Sequence, residues 1–202
     1  MKLILLTSPE FFVEEDKILT SLFEEGLDQL HLRKPASEPV YCERLLTLIP
    51  EEFRGRIITH DHFYLYEEFG LMGIHLTARN SEPPKNYKGL ITCTCYNMEQ
   101  LAEAKSTSAY VCLDRTLDSI SEPQMTAQYT TEGLREAARQ GLIDRKVMAQ
   151  GGIALENIPL IRELGFGGVV VRGDLWKRFN IHSGADFKPL IAHFRNLRKA
   201  TN

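Results

Sequence analysis

Residues 147–173 read VMAQGGIALENIPLIRELGFGGVVVRG. A short apolar run ends at Gly151-Gly152, an amphipathic stretch follows as far as Gly165, and a second apolar run, GVVV, ends at Gly173. Two brief apolar segments flanking one helical period describe a strand–helix–strand unit, which places its strands parallel. Parallel strands are covered on both faces, so they read as continuous apolar runs without alternation.

The same unit recurs toward the N-terminus. LILL (3–6), LHLR (30–33), RIITH (56–60), GIHL (73–76), LITCTC (90–95) and YVCLD (110–114) are the earlier strands, with VMAQGG (147–152) and GVVVRG (168–173) the seventh and eighth. Between them lie VEEDKILTSLFEEG, SEPVYCERLLTLI, MEQLAEAK, TEGLREAARQG and LENIPLIRELG, with FKPLIAHFRNLRKA after the last. Several carry apolar residues at i, i+3 and i+4 and end at glycine, as helices do. Eight repeats predict an α/β fold, a single (β/α)8 TIM barrel spanning residues 1–202 as one domain; an open doubly wound sheet is the other arrangement of such units. The segment TARNSEPPKNYKG (77–89) is too proline-rich for a full helix. The irregular polar stretch 116–129 is long enough to lie over a site.

With 202 residues, a formal net charge of -3 and 43% hydrophobic residues, the chain reads as an ordinary globular protein that neither nucleic acid nor an acidic membrane would attract. The N-terminal run is too short for a membrane span, and nothing after it resembles a cleavage site. A cytoplasmic location with reduced thiols is expected for Cys42, Cys93, Cys95 and Cys112. Cys93 and Cys95 lack a second ligand pair at metal spacing and are expected to be small core residues.

Function in such a barrel gathers where the strands end, and phosphate favours the loops after the seventh and eighth. Backbone amides at Gly151, Gly152 and Gly173, helped by a helix N-terminus, can hold a dianion without a cationic side chain, and Arg172 stands beside them. Tight turns alone would explain one such glycine pair less specially.

The order of motifs resembles the thiamine-phosphate synthase/TenI superfamily of thiamine biosynthesis. LHLRKP corresponds to its second-strand motif, ITHD to the third, GIHL to the fourth, TCYNMEQLAEA to the fifth and AQGGIALENI to its phosphate-binding turn. The resemblance implies a thiazole phosphate ligand on that turn. In a synthase of this family it also implies a pyrimidine diphosphate, magnesium and basic side chains around the leaving diphosphate. Arg33 falls on the family arginine, and Asp61 on a magnesium-binding aspartate preceded here by His60. The family lysine falls on Pro35, with Lys34 adjacent; the second aspartate falls on Asn80, and the loop lysine near Ser121-Glu122.

A depleted diphosphate subsite beside an intact monophosphate subsite resembles the TenI branch, which implies tautomerisation of a thiazole phosphate by proton transfer. The TenI histidine falls on Tyr96, leaving His31, His60 and His75 as strand-borne candidates for an acid/base titrating near neutrality. The alternatives are a thiamine-phosphate synthase, a non-catalytic barrel that binds a phosphorylated thiazole, and another phosphate-binding barrel such as a sugar-phosphate isomerase. The resemblance also implies a homo-oligomer. His62, His182 and His193 carry no comparable argument, His193 being expected to pack or face solvent, and Trp176 is expected to cap the barrel.

Overall fold

The computed structural model describes residues 1–179 and 186–202. Eight parallel strands close on themselves in chain order, β1-β2-β3-β4-β5-β6-β7-β8, with β8 pairing back to β1. They are β1 (Lys2–Leu6), β2 (Gln29–Leu32), β3 (Ile57–Thr59), β4 (Gly73–Leu76), β5 (Leu90–Cys95), β6 (Tyr110–Leu113), β7 (Val147–Gln150) and β8 (Gly168–Val171). The helices are α1 (Glu15–Glu24), α2 (Pro39–Leu48), α3 (Glu51–Arg54), α4 (Leu65–Phe69), α5 (Glu99–Thr107), α6 (Thr131–Arg139), α7 (Ile158–Glu163), α8 (Gly173–Trp176) and α9 (Lys188–Thr201). The closed barrel predicted from the alternation is the fold observed, and no helix forms across 77–89.

The period of two along each strand divides the side chains between two cores. Leu3 and Leu5 of β1 join Leu30, Leu32, Val111, Leu113, Val169 and Val171 in the layer beneath the helices. Ile4 and Leu6 join Ile58, Tyr110, Cys112, Met148 and Val170 inside the barrel. On β5 the same alternation sends Cys95, with Cys93 packed nearby, to the outer layer, while Thr92 and Thr94 bond to His75. All four cysteines are free thiols. No described helix is long and apolar enough to cross a membrane.

Alternation also decides a pair the sequence left open. Arg33 and Lys34 follow β2 directly, and they part company there. Arg33 lines the mouth of the barrel. Lys34 is buried against α1, its Nζ donating to both carboxylate oxygens of Glu15 at 2.6 and 2.8 Å and lying 4.3 Å from the Phe11 ring centre. Lys34 therefore does not replace the missing family lysine.

Candidate active site at the barrel mouth

At the C-terminal ends of the strands a cavity of about 390 Å³ opens, within the size range of small-ligand sites. Its wall comes from residues at or just beyond the strand ends, among them Arg33, His60, Thr94, Asp114, Gln150 and Arg172. Four arginines, at 33, 79, 115 and 172, face it against two carboxylates, Asp114 and Glu122. That excess of fixed positive charge suits a polyanionic ligand.

Gly151 and Gly152 sit on the cavity wall in left-handed conformations, at φ +90° and +69°. They also serve the loop between β6 and α6. A Cβ on Gly151 would lie 3.0 Å from the Arg115 backbone, and one on Gly152 would collide with the Asp118 carbonyl and come within 2.7 Å of Leu117 Cβ. Thr116 N donates to Gln150 O at 2.9 Å and Leu117 N to Gly151 O at 3.1 Å, fastening the loop to the end of β7. Asn157 Nδ2 takes the Gly152 carbonyl at 2.8 Å. Among the described residues the Gly151 and Gly152 amides donate to no protein acceptor, which leaves them for a ligand.

The loop reaches across the mouth as its sequence predicts, with Leu117, Ser119, Ile120, Ser121, Glu122 and Met125 on the cavity. Arg172 donates to Ser121 Oγ at 2.6 Å and to Glu122 Oε1 at 2.5 Å. Glu122, near which the resemblance puts the family's loop lysine, thus anchors the arginine that follows β8. Gly173, first residue of α8, also faces the cavity, and its missing side chain admits Ile120, whose Cβ would lie 3.1 Å away.

The three strand histidines meet inside the barrel. His31 Nε2 is hydrogen-bonded to Tyr110 Oη at 2.6 Å and His31 Nδ1 to His60 Nε2 at 2.9 Å. His75 bonds through both nitrogens to Thr92 and Thr94, at 2.7 and 2.8 Å. His60 lines the cavity, and its Nδ1 is buried without a partner. The nitrogens of the trio lie within 4.8 Å of one another, near enough to suggest a metal set. Ring geometry argues otherwise. His60 and His75 stack at 4.1 Å with 16° between their planes, and an imidazole ligates in its own plane, so no single point serves both rings as they stand.

Burial pushes His31 down to about 3. His60 and His75 are also held well below their ordinary value, mainly by burial and then by neighbouring positive charge, including Arg33. Burial thus favours the neutral form of all three imidazoles.

Asp61 is nearly buried, and Arg79 Nη2 donates to its Oδ1 at 2.7 Å. Oδ2 is buried and unpartnered, and Asp61 itself does not line the cavity, whereas Arg79 does. Asn80 spends its amide on the His60 carbonyl at 3.2 Å. Magnesium is held through one or two carboxylates plus substrate phosphates. A lone carboxylate already paired with a guanidinium is a poor seat for it, so the Asp61 metal role implied by the family resemblance does not fit this donor set. Tyr96 lines the cavity, and its Oη lies 3.5 Å from the Ala78 amide.

Residues 3–175 match the family described as thiamine monophosphate synthase. The chain belongs to that family. A solved thiamine phosphate pyrophosphorylase from Bacteroides thetaiotaomicron is 51% identical, with a TM-score of 0.90 over 99% of this chain and 97% of that one. A thiamine phosphate pyrophosphorylase from Pyrococcus furiosus superposes with a TM-score of 0.77 over 99% of this chain and 95% of that one, but at 18% identity it speaks for the fold alone. A thiamine-phosphate synthase of Nitrosococcus oceani is 29% identical over 147 residues, covering 69% of this chain and 66% of that protein. The names of the Bacteroides and Nitrosococcus relatives match the synthase alternative better than the TenI-type reading expected from the altered motifs.

Sequence reasoning gathered Arg33, His60, Tyr96, Gly151, Gly152, Arg172 and Gly173, all on the cavity, while His31 and His75 lie beneath it. It missed Arg79, Thr94, Asp114 and Gln150. The signal for the last three was strand period: each follows an inward residue two positions earlier (Thr92, Cys112, Met148). Arg79 lies in a loop, where no period applies. His193 proves buried, paired to Asp174 Oδ2 at 2.7 Å, and Trp176 donates to Leu6 O at 2.9 Å as a cap on the barrel. His182 lies outside the described residues.

Proposed function

We propose that the protein is a thiamine-phosphate synthase, a transferase that joins hydroxymethylpyrimidine diphosphate to thiazole phosphate and releases diphosphate. The observation that carries this reading is the 51% identity to a thiamine phosphate pyrophosphorylase along nearly the whole of both chains. The mouth supports it chemically. Breaking the bond between the pyrimidine methylene and the diphosphate oxygen leaves a cation-like carbon and a leaving group of several negative charges. Arg79 and Arg172, held by Asp61 and Glu122 before the substrate arrives, and Arg33 on the same cavity stabilise that developing charge. The thiazole nitrogen then attacks the methylene carbon, its phosphate held by the amides of Gly151 and Gly152. His60, kept neutral by burial, stands on the cavity without repelling a cationic carbon. The ligands of the proposed reaction are small phosphorylated metabolites.

Proton transfer of the TenI type is the second reading, favoured by the hydrogen-bonded run from Tyr110 through His31 to His60, which ends on the cavity. Incubation with both phosphorylated substrates separates the two. A synthase forms thiamine phosphate and diphosphate in equal amounts. Isomerisation of a thiazole carboxylate phosphate with no thiamine phosphate formed would overturn the synthase reading. Ligand-induced stabilisation with neither turnover would mark a non-catalytic binder.

A further inference from the structure

We infer that Arg79 takes the place of a divalent ion at Asp61, so that this chain binds diphosphate through a guanidinium and without magnesium. The inference rests on the synthase reading for its substrate but on the mouth's geometry for its content. Arg79 Nη2 donates to Asp61 Oδ1 at 2.7 Å, and Nη1 donates to the Pro35 carbonyl at 3.3 Å. Two fixed acceptors hold the guanidinium at the cavity wall, yet the side chain stays 53% exposed. Among the described residues Nε and the remaining hydrogens of both Nη atoms have no other partner, which leaves them for an incoming phosphate in the planar fork that suits phosphate oxygens.

Charge balance explains the pairing. A dication between two carboxylates is neutral overall, and so is a guanidinium beside one. In this chain the position where the resemblance puts a second carboxylate is Asn80, whose amide instead steadies the His60 carbonyl. Loss of one negative charge and replacement of a double positive charge by a single one leave the local field level. A magnesium ion added beside Arg79 would unbalance it by two positive charges, with one unpartnered but buried oxygen, Asp61 Oδ2, to receive it. Arg33, which also lines the cavity, adds a second cation for the leaving group.

The test is calorimetric titration of the full chain with inorganic pyrophosphate, once in EDTA and once in excess magnesium. Wild type is expected to bind in EDTA with an affinity within about threefold of that in magnesium. Arg79→Ala should weaken binding in EDTA by about tenfold or more, the scale of one charged hydrogen-bond donor. Arg79→Lys, which keeps the charge and loses the fork, should fall between. Arg79→Asp should bind pyrophosphate only with magnesium. Wild-type binding that requires magnesium, or EDTA affinity untouched in a folded Arg79→Ala, would overturn the inference. Arg79-dependent binding without any thiamine phosphate formed would leave this inference standing while removing the synthase reading. Magnesium-dependent synthesis indifferent to Arg79 would do the reverse.

Discussion

His31 Nδ1 and His60 Nε2 lie 2.9 Å apart inside the barrel, where both residues are buried. Of two such nitrogens only one can carry the shared hydrogen, so at most one ring can be charged, and two neutral rings share one tautomer, both Nδ1–H or both Nε2–H. Burial favours the neutral pair, holding His31 near 3 against an ordinary 6.5.

Acid should therefore unfold this protein early. An unfolded histidine takes up a proton below about 6.5, whereas the buried one refuses it until about 3, so stability falls as pH drops through that window. One unit below the unfolded value, each imidazole held neutral costs roughly 1.4 kcal/mol. Glu15, pushed up to about 7 by burial despite its lysine partner, opposes the trend between about 7 and its ordinary 4.5. Urea melts at several pH values should show a net loss on acidification, with a shallower slope in His31→Gln. Equal slopes would mean the cluster is not held neutral.

Lys34 and Glu15 form a buried bidentate pair, with side chains only 0% and 2% exposed. Lys34→Met should destabilise by about 3–5 kcal/mol because it strands a carboxylate in the core. Adding Glu15→Leu should recover most of that loss. Pyrophosphate affinity of the double variant should match wild type, since neither residue lines the mouth. Weakened binding in the folded double variant would return Lys34 to the site.

Gly152→Ala and Gly141→Ala make a matched pair. Both residues have positive φ, but a Cβ on Gly141 meets nothing within 4 Å, while one on Gly152 strikes the loop at Leu117 and Asp118. The first should cost about 1–2 kcal/mol of backbone strain and leave ligand binding alone. The second should cost more and weaken thiazole phosphate binding by displacing the loop. Similar behaviour of the two in binding assays would reduce Gly152 to a turn.

Arg172→Ala should loosen the loop as well as remove a cation. Its bonds to Ser121 and Glu122 tie residues 121 and 122 across the mouth. Limited proteolysis should cut within 116–129 sooner in this variant, and thiazole phosphate should slow the cut in wild type. An unchanged cleavage rate would show that other contacts hold the loop.

Most of the framework was legible because parallel strands, buried on both faces, leave apolar runs that only glycine and polar segments interrupt. Each of the eight runs overlaps an observed strand with an offset of no more than a few residues. The short helices α3 and α4 escaped notice, since four or five residues give no helical period to read. Side-chain direction on the strands was legible in part: a period of two parts neighbours such as Arg33 and Lys34, but whether it persists past the end of β2 could not be read. Pairing across loops was not. The Arg79–Asp61 bond joins residues that follow different strands, and only the closed barrel brings them together. The altered motifs pointed toward the TenI branch because the missing acidic and basic residues could be counted, whereas a compensating arginine could not be located.

The most direct measurement is a crystal structure soaked with thiamine phosphate and pyrophosphate, the two products of the proposed reaction. The monophosphate is predicted on the amides of Gly151 and Gly152, with the pyrophosphate spanning Arg33 and Arg79 and no ion between it and Asp61. A metal on Asp61 bridging to the pyrophosphate, or a monophosphate bound away from those amides, would contradict the placement of both anions.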